Sequence, residues 1–128
     1  MKYYFNKVLK KPFEKVIELT TEALKSEGFG VLTQIDVQAT LKMKLDVDFK
    51  KYLILGACNP PFAHQALQTE ELVGLFLPCN VVIRENEDGV EVAIADPLAM
   101  MLSVDNPKLS AISEEVRYKM QKVLERLK

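Results

Sequence analysis

Two cysteine–asparagine steps carry the residue types best suited to chemistry, Gly56-Ala57-Cys58-Asn59-Pro60-Pro61 and Leu77-Pro78-Cys79-Asn80. Cys58 stands just before an asparagine and a proline that suit the first turn of a helix. A thiol there meets unpaired N–H groups and the positive end of the helix dipole, both of which favour thiolate and hence nucleophilic or redox work. The plainer reading is a small apolar residue closing a strand, since free cysteines are among the most buried residue types. Cys79 alternates with Val81 and Ile83 and reads first as a core-facing cysteine. If the two strand ends meet, the thiols could form a reversible pair. Their separation of 21 residues does not decide this, because a disulfide needs matched Cβ vectors.

A zinc site needs about three or four ligands. Cys58, Cys79 and the single histidine, His64, could supply three, yet there is no CxxC pair and no recognisable ligand spacing around His64. An ordinary, partly exposed histidine is the simpler expectation. The same residues, with Asn59 or Asn80 as an orienting group, could form a cysteine/histidine nucleophile pair. The asparagines have a plainer use, Asn59 as the cap of the following helix and Asn80 as a turn former. Asp96 before Pro97 reads as turn chemistry, and Met100, Met101 and Met120 as core or interface filler. The sequence holds no phosphate loop, dinucleotide fingerprint, zinc-protease motif or nucleophile elbow.

The elements that must position these residues follow from periodicity. Lys2 to Leu9 reads as a strand, and Pro12 opens a helix with Phe13, Val16, Ile17, Thr20 and Leu24 on one stripe and Gly28 at its end. Phe29, Val31, Thr33 and Ile35 form one face of a second strand, and Asp36 caps a short helix carrying Val37, Leu41 and Leu45. Tyr52 to Ala57 fits a central strand covered on both faces. A helix from Asn59 to about Glu70 precedes one or two strands across Leu75 to Glu85, and Asn86-Glu87-Asp88-Gly89 turns the chain into Val90 to Ala95. The last helix opens at Asn106-Pro107 or Ser110, with Leu109, Ile112, Val116, Met120, Val123, Leu124 and Leu127 as its apolar stripe.

At 128 residues, with 48% apolar and 27% charged, the chain is expected to be one α+β domain over residues 1–128, with a mostly antiparallel sheet and long helices packed on one face. A net charge of −1 gives no basic field for nucleic acid. No apolar run approaches the roughly 20 residues that span a bilayer, so no membrane partner is expected. An N-terminus without an apolar signal segment makes a cytoplasmic location the default, where the cysteines stay thiols.

The two cysteine segments, with Ala63, Ala66 and Leu67 between them, Gly28-Phe29-Gly30-Val31 upstream and Asp96-Pro97 with Met100 downstream, resemble the signature of the bacterial and archaeal family called domain of unknown function 302. The likeness covers nearly the whole chain. It implies a TATA-binding-protein-like α+β fold and a dimer, and no established activity. It implies no DNA binding, because function belongs to sites on folds and the chain lacks a basic groove. The expectation is a homodimeric small-molecule or protein-binding module, its pocket near the Cys58 and Cys79 strand ends and lined by Asn59, Pro60, His64 and Asn80. The alternative is a thiol-dependent redox or metal-binding protein using Cys58 and Cys79. The sequence specifies no cofactor and no reaction.

Overall fold

A computed structural model describes residues 2–128. In chain order the elements are β1 (Tyr4–Leu9), α1 (Phe13–Ser26), β2 (Gly30–Asp36), α2 (Val37–Leu45), β3 (Tyr52–Cys58), α3 (Pro60–Thr69), a 3-10 helix (Glu71–Phe76), β4 (Cys79–Asn86), β5 (Gly89–Ala95), α4 (Pro97–Met100) and α5 (Pro107–Arg126). The five strands form one sheet in the order β1-β5-β4-β3-β2, with every neighbouring pair antiparallel.

Strand alternation gives this sheet a dry face and a wet one. Leu53, Leu55 and Ala57 of β3, Val81 and Ile83 of β4, and Val90, Val92 and Ile94 of β5 are buried in one core with Phe13, Val16 and Leu24 of α1 and Val116, Met120 and Val123 of α5. The stripes expected on α1 and α5 are the surfaces that cover the sheet. Helix α1 ends where Gly28 adopts φ +88°, letting Gly28 N–H reach the Lys25 carbonyl and Phe29 N–H the Leu24 carbonyl, so the free carbonyls of the last turn are satisfied. At the β4–β5 hairpin the Asn86 side chain accepts from the N–H groups of Asp88 and Gly89, which closes the turn.

Several local expectations change. Leu75 to Phe76 is not strand: the run belongs to the 3-10 helix, with Val73 buried and Leu72 and Leu75 exposed. A continuous apolar stretch cannot by itself separate a strand from a tight helical turn. The β2 alternation stops at a register shift between Val31 and Thr33, so Phe29 and Val31 join the core while Ile35 lies exposed at the sheet edge. Strand β3 is not covered on both faces, because Tyr52 and Ile54 are only half-buried. Asp36 does cap α2, accepting from Ala39 N–H at 2.9 Å, but α2 buries no residue at all.

Three buried carboxylates each hold an arginine. Glu27 accepts two bonds from Arg126, tying the end of α1 to the end of α5. Asp96 caps α4 through Leu98 N–H and accepts from Arg117 at 3.1 Å, a structural task beyond turn chemistry. Glu91 accepts from Asn6 at 2.8 Å and Arg84 at 2.6 Å, and these bonds hold its carboxyl below the usual carboxylate range. Burial is tolerated in each case because the charge is both paired and hydrogen-bonded.

One glycine is fixed by contact. A Cβ at Gly56 would collide with Thr33 Oγ1 and come within 2.7 Å of Pro78 Cγ, so β2, β3 and the chain entering β4 close on this bare position. Gly56→Ala should cost about 1–3 kcal/mol, the usual penalty for overpacking. Urea unfolding of the two proteins checks this, and equal midpoints would show that the neighbours yield freely.

Candidate functional site

Cys58 ends β3 and Cys79 begins β4. In the ladder Ala57 stands opposite Cys79, which leaves Cys58 one residue further along. The two residues are near enough for Cys58 to act on the Cys79 thiol, and both line one cleft. Both are free thiols and both are half-buried.

The thiols border an apolar cleft of about 50 Å³ at the end of the sheet. Ala57 and Cys79 supply its sheet side, Phe62 and Ala66 of α3 one wall, and Leu109, Ile112 and Val116 of α5 the other, with Pro97 and Met101 closing a third side. Asn59 and Ser113 bring the polar groups. Burial, and then the neighbouring Cys58, push the Cys79 thiol up to about 11.

Asn59 occupies the N-cap position of α3 in extended geometry but does not cap it. Its Nδ2 instead donates to the Glu27 carbonyl at 3.3 Å, fastening the mouth of the cleft to the end of α1. Pro60 and Pro61 fill the first two helical positions and have no N–H, so there is little for a cap to satisfy, and the helix presents fewer donors to an anion than its sequence position suggests. The Ala63 N–H is already bonded to the Asn59 carbonyl.

Of the residues expected to line a pocket, Asn59 does so. Pro60 and His64 are exposed on α3 and lie off the cleft, and Asn80 is exposed on the opposite, wet face of the sheet. Cys58, Cys79 and His64 are not gathered as a ligand set: among the described residues no group of three His, Cys, Asp or Glu side chains is placed to hold a metal ion. Sequence reasoning missed Phe62, Leu109, Ile112, Ser113 and Val116. Leu109, Ile112 and Val116 stood in the apolar stripe of α5, whose periodicity does not show which neighbour each turn covers.

Helices on one face of a five-stranded antiparallel sheet, and an apolar cleft with two thiols where β3 and β4 end, define a small α+β protein organised around that cleft. The chain belongs to the family described as Domain of unknown function DUF302, whose model matches residues 5–127. It is also similar to a solved structure, the crystal structure of uncharacterized conserved protein DUF302 from Bacillus stearothermophilus, at 29% identity over 100% of both chains with a TM-score of 0.94. No curated protein matches. Among the described residues no helix is long and apolar enough to cross a membrane.

Two expectations follow from this geometry. A thiol whose folded pKa lies above its unfolded value of about 9 lends stability that is fully present below that value and is lost as pH rises through about 11. Urea unfolding at several pH values between these limits should therefore show a steeper loss for the wild type than for Cys79→Val, and parallel curves would contradict it. Asn59→Ala removes the bond to the Glu27 carbonyl and should cost about 1 kcal/mol, read from the same unfolding curves.

Proposed function

We propose that this protein is a small-molecule-binding module whose ligand seats an apolar group in the cleft beside Cys58 and Cys79. The observation that supports this reading is the cleft itself: an apolar space left open between three helices and the sheet at the one place where two thiols, Asn59 and Ser113 converge. Ligand sites are typically apolar concavities with a few convergent polar groups. Size limits the occupant. Since one water needs about 10–15 Å³ of such volume, 50 Å³ admits a group of only a few heavy atoms, with any larger body projecting from the mouth. Free thiols suit a reducing, cytoplasmic setting.

The module is proposed to act as a homodimer joined through β2 and α2. β2 is a sheet edge with no charged residue from Gly30 to Ile35, whereas the other edge, β1, carries Lys7 and is followed by Lys10 and Lys11. Edges that stand alone are commonly blunted by lysine. Beside the bare edge Leu32 is 68% exposed and Met43 of α2 77%, with Ile35 and Leu45 also exposed. A second copy is the partner that such a patch fits, because its own edge is equally unprotected.

Amide NMR titration with isobutanol and with xenon tests the cleft. Saturable shifts are expected at Cys58, Phe62 and Ile112, and Ala63→Leu, which fills the space, should abolish them while leaving the fold intact. Absence of saturable shifts at these residues, or their persistence in Ala63→Leu, would sink the reading. Light scattering after size exclusion tests the dimer: wild type should run at twice the chain mass and Leu32→Lys at one, and a monomeric wild type would rule the interface out.

A further inference from the structure

The wet face of the sheet holds a second and larger hollow, of about 300 Å³, which is unconnected with the cleft and lies at the lower end of the range of small-molecule sites. Register creates it. Across the strands Tyr52 stands opposite Arg84 and Arg84 opposite Glu91; in the next row Ile54 faces Val82 and Val82 faces Ala93; one row further Ala95 faces Tyr4. Short side chains thus fill the middle of the grid while Tyr4 and Tyr52 stand at opposite corners, so the floor is low and the ends are raised. Tyr3 extends the wall at the Tyr4 end, its ring edge-on at 5.0 Å.

The lining of this hollow pairs one cation, Arg84, with one acid. Glu91 is the single acid lining it, and both of its oxygens are occupied, one by Asn6 and one by Arg84 Nε. Arg84 is held side-on by that bond. Among the described residues its two terminal nitrogens have no partner, and the side chain is one-third exposed. Lys50 lies close enough to act on Glu91, and Lys2 sits 4.7 Å from the centre of the Tyr4 ring. Neither lysine lines the hollow, so its own charges balance and the two lysines add positive charge beside it. The Asn80 amide at the same hollow is exposed and makes no bond within the chain among the described residues.

We propose that this hollow binds a planar organic anion, an aromatic or conjugated body bearing a carboxylate or a phosphate. The anion meets the free fork of Arg84, whose geometry suits two parallel bonds to either group. The body lies on Val82 and Ala93 between the tyrosine rings, which favour offset or edge contacts with a flat partner. Glu91 contributes by fixing the guanidinium in place before the ligand arrives, which lowers the cost of ordering it on binding.

Amide NMR titration of the full chain with benzoate, phenyl phosphate and neutral benzamide, each up to about 10 mM, tests the proposal. At least one anion should give saturable shifts at Val82, Arg84 and Ala93, and benzamide should bind at least about tenfold more weakly, the loss expected for a charge-assisted hydrogen bond. Benzoate alone would identify a carboxylate ligand, and phenyl phosphate alone a phosphorylated one. Arg84→Lys keeps a cation for Glu91 but loses the fork and should weaken binding about tenfold. Ala93→Leu leaves the ion pair untouched and should block the floor. No saturable shift with either anion, equal binding of benzamide, or undiminished binding by well-folded Ala93→Leu would each overturn it.

Discussion

The antiparallel sheet can be dried on one face only, and the rest of the molecule follows from that. Leu55, Val81, Ile83, Val92 and Ile94 form a nearly solvent-free layer under α1 and α5. Burying side chains of this size yields roughly 1.5–3 kcal/mol each, so a register slip of one residue, which would turn the layer outward on any of these strands, is heavily disfavoured. Register in turn fixes what lies at the strand ends and what lies on the far face. The cleft lies between α3 and α5 where β3 ends and β4 begins; the outer hollow exists because the short residues of neighbouring strands fall side by side.

Charge is used as fastening at the margins of this layer. Glu27, Asp96 and Glu91 are all buried, and each of their arginines keeps part of its length in solvent. Leaving the arginine partly hydrated reduces the desolvation penalty that a fully buried pair would carry. Two of these pairs fasten α5, Glu27 with Arg126 at the ends of α1 and α5, and Asp96 at the start of α4 with Arg117 in the middle of α5, and the latter guanidinium also lies 5.1 Å from the centre of the Phe5 ring on β1. The last helix is thus attached to the first helix, the first strand and the segment after the last strand, which explains how it can wall the cleft without a covalent constraint.

Element order and the helix-backed antiparallel sheet were legible in the sequence because Val16, Leu24, Val116 and Met120 recur at helical spacing and the β4–β5 turn carries its own residues. What stayed hidden depends on tertiary placement. Leu72 to Leu77 is apolar throughout and has no period that separates strand from 3-10 helix. Asn59 has the residue type of a cap, but Pro60 and Pro61 remove the donors, and the Glu27 carbonyl 32 residues away supplies an acceptor that no local window contains. Cys58 and Cys79 were expected beside one pocket and both border the cleft, while one of its walls comes from α5, which begins some 50 residues after Cys58. The outer grid of Val82, Ala93, Tyr4 and Tyr52 is invisible until strands are paired, because each residue is unremarked in its own segment.

Alternation along β4 and β5 has one more consequence. Val81, Ile83, Val92 and Ile94 answer only to the core, while Val82 and Ala93 lie on the outer face, although the two sets interleave residue by residue. The same few codons therefore carry two messages that can be rewritten separately. Over generations the outer set can drift toward new surface chemistry without altering the volume that the helices must fill, so a family can diversify on one side of its sheet while its architecture stands still.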